Sequence, residues 1–578
     1  VSRLAPLRVR RRVPPENGEA LPATLHPVLR RLYAARGVTS AEELDHGLAR
    51  LLPHHDLGGV EEAAALLEEA IGRGEPITVV GDYDADGATG TALLLRGLRA
   101  LGAARVGYLV PSRLRDGYGL GPSVVEALRS GGEAPALLVT VDNGIAALEG
   151  VRAARAAGMR VVVTDHHLPG ARLPEADALV NPRLPGDRFP SKALAGVGVA
   201  FYLLAALRAR MRAAGRLPAG GGPRLAALLD LVALGTVADL VSLDANNRVL
   251  VEQGLARIRA GRACPGITAL LEVAGRDPRR AVSADLAFAA GPRLNAAGRI
   301  AEMGLGIECL LADEREQALA LARRLDALNR ERRAIEARMR DQAALELERL
   351  RLDGALPAGL ALFDPGWHQG VVGILAARVR EQVHRPVVAF APLGDGRLRG
   401  SARSVPGVHV RDAIERVASA APGLVERFGG HAMAAGLTLA AGRLEEFQAA
   451  FAEVIGELLE GVEDPAVLIT DGELEPEHHE IGLAEALRAG GPWGQGFPEP
   501  LFDGAFELLA RRVVGERHLR LRLALPGRRA PLEAIAFGAA GGEQDPGGAA
   551  RLRAAYRLAV DEYRGGRSVQ LLIERIGA

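Results

Sequence analysis

Three aspartates at alternate positions, Asp82, Asp84 and Asp86, stand within the ten residues GDYDADGATG at 81–90. The run before them, Pro76-Ile77-Thr78-Val79-Val80, is β-rich and apolar and reads as a buried strand; Thr89 to Leu101 after them is apolar at helical spacing. The carboxylates therefore occupy a strand-to-helix turn at the carboxyl end of a parallel strand, where open α/β sheets bind their ligands. Phosphate cradling by the glycines alone does not fit. No lysine follows them as a P-loop requires, the GxGxxG spacing is missing, and bare carboxylates repel phosphate. Acid and phosphate become compatible when hard divalent cations lie between them, because Mg²⁺ and Mn²⁺ prefer oxygen ligands. Taken singly, the motif leaves a blander alternative open, a solvated acidic turn.

Three further stretches reduce that bland reading. Leu137-Leu138-Val139-Thr140-Val141 ends in Asp142-Asn143-Gly144, and Val161-Val162-Val163-Thr164 ends in Asp165-His166-His167. Leu228 to Gly235 is apolar and leads to Thr236-Val237-Ala238-Asp239. A doubly wound sheet would gather such ends along one edge. The economical account is a two-metal phosphoesterase centre, with ions about 3.5–4 Å apart that stabilise attacking and leaving oxygens.

DYDADG, VDNG, TDHH and GTVAD, in that order, resemble the successive motifs of the DHH phosphoesterase superfamily. Leu109 to Gly121, Gly291 to Arg299 (GPRLNAAGR), Gly366 to Ile374, Gly400 to Ser404 (GSARS), Gly429 to His431 and Pro492 to Phe502 resemble one branch of it, the bacterial RecJ single-strand-specific 5′→3′ exonucleases. The resemblance runs from about Leu51 to the last residues. It implies metal ligation by Asp82, Asp84, Asp86, Asp142, His166 and Asp239, with Asp142 bridging two Mn²⁺ or Mg²⁺ ions. Asp165 is expected to orient a histidine, and His167 to hydrogen-bond the scissile phosphate or protonate the leaving group. Ser401, Arg403, Gly430 and His431 are expected to hold the 5′ phosphate and first nucleotides, joined by Arg293, Asn295 and Arg299. Arg113 and Tyr118 are weaker candidates for the substrate channel. Single-stranded DNA with a 5′ end is the implied substrate, and nucleoside 5′-monophosphates the implied products. A RecQ-type helicase and single-strand-binding protein are the implied partners of a monomer acting in recombinational and mismatch repair. Two other readings stand beside it: a DHH hydrolase of pyrophosphate, short oligonucleotides or cyclic dinucleotides, and an inactive DNA-binding scaffold. The complete ligand set disfavours the scaffold, and the C-terminal extension disfavours a small substrate.

The chain of 578 residues is too long for one core. No apolar run reaches the length of a membrane span, and VSRLAPLRVRRRV at the start lacks the apolar stretch of a signal peptide. Two cysteines, Cys264 and Cys309, form no disulfide framework, which fits a reducing cytoplasm. Lys+Arg and Asp+Glu both number 71, so net charge does not announce a nucleic-acid binder and local patches must hold a polyanion. The expected organisation is α/β throughout the catalytic part. An N-terminal region (1–50) precedes a doubly wound parallel-sheet catalytic domain (51–312). A long connecting helix (313–352) leads to a smaller α/β DHH-associated domain (353–462). Residues 463–578 close the chain with a C-terminal OB-fold β-barrel. The helix is read as an interdomain element because its apolar positions lack a sustained heptad. The barrel rests on period-two alternation from His518 to Leu525, and Arg511, Arg512, Arg517, Arg520 and Arg522 give it a basic character.

Overall fold

Apolar runs too short for helices and bounded by turn residues build the sheet that carries the acidic turns. In the computed structural model five parallel strands lie side by side in the order Val106–Leu109, Ile77–Gly81, Leu137–Val141, Arg160–Thr164 and Ala178–Val180. Residues 4, 6–13, 21–113, 115–132, 134–218, 220–352, 356–460, 467–542, 544–562 and 566–578 are described, so the expected boundaries at 353 and 463 lie outside them. The central strands are buried on both faces, which is why their sequences run continuously apolar. Ile77, Val79, Val139 and Val162 pack into the main core with the helices Ala85–Ala100 and Gly196–Ala213, whereas Val80, Leu138, Val161 and Val163 meet Pro122–Ser130 and Leu148–Ala156. The chain reverses its direction of winding between Ile77–Gly81 and Leu137–Val141. Such a switch point leaves a crevice beyond the strand ends, and Asp82, Asp84, Asp86 and Asp142 follow those two strands.

The fourth expected cluster arrives differently. Leu229–Ala238 is a helix buried along nearly its whole length, and Asp239 is its C-cap. A continuous apolar run has no periodicity to separate strand from helix, so only packing decides it.

The helix expected over 313–352 is present as Arg315–Leu352, 38 residues or about 57 Å long. Its Ala318, Ala322 and Leu325 enter the catalytic core, while Met339, Ala343 and Leu347 enter the core of the next lobe. It is a strut between domains. The second lobe has a mixed five-stranded sheet in the order Arg427–Gly430, Ala434–Ala440, Arg397–Arg403, Val387–Pro392 and Leu360–Phe363. Trp367, buried in this lobe, donates to Gln342 of the strut at 3.1 Å.

The alternation near the C-terminus does form a barrel, closed by Phe502–Val514, His518–Ala524, Leu532–Ala536, Ser568–Gly577 and Arg551–Asp561. The barrel proper therefore starts near 502, and 467–501 docks it on the rest. There Val9–Arg11 pairs in parallel with Leu468–Thr470. Arg36 and Asp471, both buried, make a two-pronged pair at 2.9 Å on each prong, and the Arg36 guanidinium lies 5.3 Å from the Trp493 ring. No helix among the described residues is long and apolar enough to cross a membrane.

Removing one partner of a buried ion pair strands the other charge in a medium that solvates it poorly. Arg36→Met should therefore cost about 3–5 kcal/mol. Arg36→Met with Asp471→Leu should recover most of that loss. Urea unfolding checks the magnitude, and limited proteolysis should release the C-terminal region only in the single variant.

Candidate metal centre and the cleft facing it

Each acidic side chain is fixed by the start of a helix or by a sharp turn. Asp84 caps Ala85–Ala100, accepting from the Asp86 and Gly87 amides at 3.0 Å. Asp86 accepts from the Gly196 and Val197 amides, at 2.6 and 2.9 Å, at the start of Gly196–Ala213. A helix N-terminus is a natural anion seat. Asp82 accepts from the Tyr83 amide at 2.7 Å. Asp142 holds φ at +63°, a left-handed conformation that Asp and Asn tolerate better than most residues. Residue 196 must be glycine, because a Cβ there would stand 2.6 Å from the Asp142 Cβ.

These turns converge. Asp82, Asp84 and Asp142 form one group of potential ligands and Asp86, His166 and Asp239 another; Asp142 also groups with His166 and His167. His166 Nε2 lies 3.0 Å from Asp142 Oδ1 and 3.5 Å from Asp239 Oδ2. Burial and the surrounding carboxylates push Asp82, Asp142 and Asp239 well above the ordinary carboxylate range, and Asp86 up to about 7. Burial, then the charge of His167, pushes His166 down to about 3, so its imidazole is neutral. Both Asp142 carboxylate oxygens and both His166 ring nitrogens are buried without a hydrogen-bond partner. Oxygen-rich, mutually repelling and unsatisfied, this set fits divalent cations.

Asp165 is occupied otherwise. It accepts from the His166, His167 and Ile145 amides and from His167 Nδ1, the last at 2.8 Å. The histidine it orients is thus His167. Burial opposes the charge of His167, yet the bond to Asp165 prevails and pushes its pKa up to about 9. The Tyr118 hydroxyl donates to the Asp142 carbonyl at 3.1 Å, and its ring meets His167 edge-on.

The second lobe closes over this centre. His431 stacks on His167 across the cleft with centroids 6.0 Å apart. Arg403 donates to Ser401 Oγ and the Ala402 carbonyl, and Gly430 ends the edge strand Arg427–Gly430, which Ala434–Ala440 separates from the strand of Arg403. Arg299 donates to the Gly370 carbonyl in a loop shaped by His368, whose Nδ1 accepts from the Gly370 amide. Arg113 lies 3.9 Å over the Tyr83 ring. Burial, then the charges of Arg113 and Arg403, pushes Arg299 down to about 9, and burial lowers Arg403 as well. Arg113, Arg299 and Arg403 have no carboxylate partner among the described residues. Such a cluster calls for an anion.

Arg293 pairs with Asp326 of the strut at 2.7 Å and donates to the Ala289 carbonyl, which ties its helix to the catalytic end of the strut. Asn295 accepts from the Ala85 amide at 2.8 Å and supports the acidic turn. In the barrel, Arg511 is paired with Asp545 and Arg520 with Glu533, leaving Arg512, Arg517 and Arg522 without ion pairs among the described residues. Sequence reasoning missed the Gly196 and Val197 amides, which the Gly-Val-Gly run could have signalled. It also missed Asn143, whose side chain ties the Val80 and Val141 carbonyls together.

Comparison with known proteins agrees with this architecture. The DHH family N-terminal domain matches residues 76–236, the DHHA1 domain 357–457 and the RecJ OB domain 470–575. The chain is 54% identical over 560 residues to the single-stranded-DNA-specific exonuclease RecJ of Dickeya dadantii, covering 96% of this chain and 97% of that one. It is 51% identical over 577 residues to that of Escherichia coli, covering 99% of each. Its structure resembles the crystal structure of RecJ in complex with Mn²⁺ from Thermus thermophilus, with TM-score 0.81 and 33% identity over 99% of this chain and 80% of that one. A second structure of the Thermus protein, in complex with Mg²⁺, gives TM-score 0.75 and 32% identity over 99% and 79% of the two chains. With its three domains matched in order and its relatives aligned end to end, the chain belongs to the RecJ family of single-stranded-DNA-specific exonucleases.

Proposed function

We propose that the protein is a divalent-metal-dependent exonuclease that degrades single-stranded DNA from its 5′ end and releases nucleoside 5′-monophosphates. One observation carries this reading: a buried acidic cluster and a cluster of unpaired arginines face the same cleft, so a phosphate there would satisfy both through cations. Asp82, Asp84 and Asp142 would hold one ion and Asp86, His166 and Asp239 another, with Asp142 within reach of both sets. When bound, Mn²⁺ or Mg²⁺ supplies charge neutralisation at the phosphate and lowers the pKa of water.

The chain's own groups do the rest. Asp165 holds His167 Nδ1, leaving Nε2–H for the substrate, and at about 9 the ring keeps its proton at neutral pH. As water adds to phosphorus and the P–O3′ bond breaks, His167 gives that proton to the departing 3′ oxygen. The products are a mononucleotide with a 3′ hydroxyl and a strand with a new 5′ phosphate. Arg403, with Arg299 and Arg113, favours a terminal monoester over an internal diester because the monoester carries more charge. Ser401, Gly430 and His431 line the same end of the cleft. Arg512, Arg517 and Arg522 offer the barrel a basic track for the trailing strand. Family membership supports a role in recombination and mismatch repair. There a cytoplasmic monomer would act on strands opened by a RecQ-type helicase and covered by single-strand-binding protein.

Asp142→Asn keeps a residue that tolerates the left-handed backbone but removes the shared charge. Hydrolysis with Mn²⁺ should fall about a thousandfold or more, while calorimetry shows weakened Mn²⁺ binding and gel shifts show retained DNA binding. Near wild-type turnover would sink the shared-ligand assignment.

His167→Ala should slow cleavage of ordinary DNA by about 10²–10⁴-fold. A bridging 3′-sulfur substrate, whose leaving group needs no proton, should lose far less. Equal losses on both substrates would remove His167 from the proton's path.

End recognition is read by competition between matched 5′-phosphate and 5′-hydroxyl strands. Arg403→Ala should lose the preference for phosphate, and Arg403→Lys should recover only part of it. Equal slowing on both strands would assign Arg403 to the internal backbone instead.

A further inference from the structure

Asp86, His166 and Asp239 form one group of potential ligands, but its two carboxylates are held very unequally. Asp86 is seated on the Gly196 and Val197 amides. The Asp239 carboxylate accepts no backbone hydrogen bond among the described residues, so its own backbone must place it. Asp239 is the C-cap of Leu229–Ala238, and Leu240 after it holds φ at +59°, a left-handed conformation rare for a bulky residue. Whatever fixes the stretch from Leu240 to the next helix, Ala245–Arg259, therefore fixes Asp239.

Two sets of contacts do so. The first centres on Asn247, fully buried on that helix. Its Nδ2 donates to the Ser242 carbonyl at 2.9 Å and to the Ala193 carbonyl at 2.7 Å. Ser242 closely follows Asp239, and Ala193 closely precedes the Gly196 amide that seats Asp86. One side-chain amide thus ties together the two loops that present Asp86 and Asp239. Asp244 adds a second tie: it accepts from the Asn247 amide at 2.9 Å and from Ser191 Oγ at 2.6 Å.

The other set comes from the root of the barrel. The Leu243 amide donates to the Gln495 carbonyl at 2.7 Å. Residue 494 must be small, because a Cβ there would stand 2.7 Å from Leu243 Cδ1. Arg248 donates Nη1 to the Leu243 carbonyl at 3.1 Å and lies 4.5 Å over the Phe497 ring. Leu243 is gripped at its amide, side chain and carbonyl.

Groups standing behind a metal's ligands govern its affinity by fixing where those ligands point. Resting on the metal-dependent reading above, we infer that Asn247 is a positioning residue for the Asp86–His166–Asp239 site. Through Leu243, the Trp493–Phe497 root of the barrel sets the affinity of that same site. The other group, Asp82, Asp84 and Asp142, stands on turns to which neither Asn247 nor the barrel root bonds among the described residues. Docking of the barrel therefore completes one of two cation sites. A molecule whose barrel has come away holds one cation firmly and the other weakly, and cuts slowly until the barrel returns.

The test titrates Mn²⁺ into the full chain without DNA and counts the free ion by its EPR signal. Asn247→Leu keeps the volume but has nothing to donate. It should weaken one class of Mn²⁺ about 10–100-fold and leave the other within about twofold. Arg248→Met frees the Leu243 carbonyl and breaks the contact with Phe497. Arg248 Nε and Nη2 are buried without a hydrogen-bond partner, so this variant should keep its thermal midpoint in EDTA. It should weaken the same class of Mn²⁺ about three- to tenfold. In steady-state cleavage both variants should need more Mn²⁺ for half-maximal rate, while kcat at saturating Mn²⁺ falls less than about threefold. A merely destabilised protein would lower its midpoint without separating the two classes. If Asn247→Leu does not fold, Arg248→Met alone decides. Equal weakening of both classes, unchanged Mn²⁺ binding in Arg248→Met, or a single class in the unmodified protein would overturn the inference. If the unmodified protein takes up no Mn²⁺, the metal-dependent reading falls and this inference falls with it.

Discussion

Like charges packed together away from water define this molecule. Five carboxylates, Asp82, Asp84, Asp86, Asp142 and Asp239, converge at one crevice where none pairs with an arginine or lysine among the described residues, and the nearest cation is His167, 3.9 Å from Asp142. Two helix N-termini offset part of that repulsion by pointing amides at Asp84 and Asp86. Asp142 receives no such help. The strand order, the left-handed turn at Asp142 and the glycine at 196 all serve to hold an arrangement that is unfavourable until cations enter it.

The positive cluster mirrors this on the other side of the cleft. Arg299 and Arg403 are kept without carboxylates although each stands within the field of other guanidinium groups. Both clusters would relax if the lobes drifted apart. The strut prevents this by being embedded in both cores and by holding Arg293 through Asp326. Gly298 and Asn295 bring the neighbouring helix close enough to touch the acidic turn, which explains why the Gly291–Arg299 motif carries small residues. The site is therefore a balance of two frustrated charge clusters at a separation fixed by a long helix.

Much of this was legible in the sequence because short apolar runs ending in acid admit few folds. The strands before Asp82, Asp142 and Asp165, the long helix and the alternating barrel strand each announced themselves by periodicity and length. The segment before Asp239 did not, since an unbroken apolar run suits a buried helix as well as a strand. The ion pair of Arg293 was not legible either, because its partner Asp326 lies 33 residues away on a different helix, a distance no local pattern reports.

The parallel pairing of Val9–Arg11 with Leu468–Thr470 bears on how the chain is made. A ribosome emits the first strand about 460 residues before its partner exists, an interval of roughly 20–90 s at ordinary elongation rates. During that interval the N-terminal strand and Arg36 wait with their hydrogen-bonding groups and charge unanswered, beside a catalytic domain already long enough to fold. Docking of the barrel is thus a late event in biogenesis, and anything fused ahead of Val9 is carried through that interval before the clasp can shut.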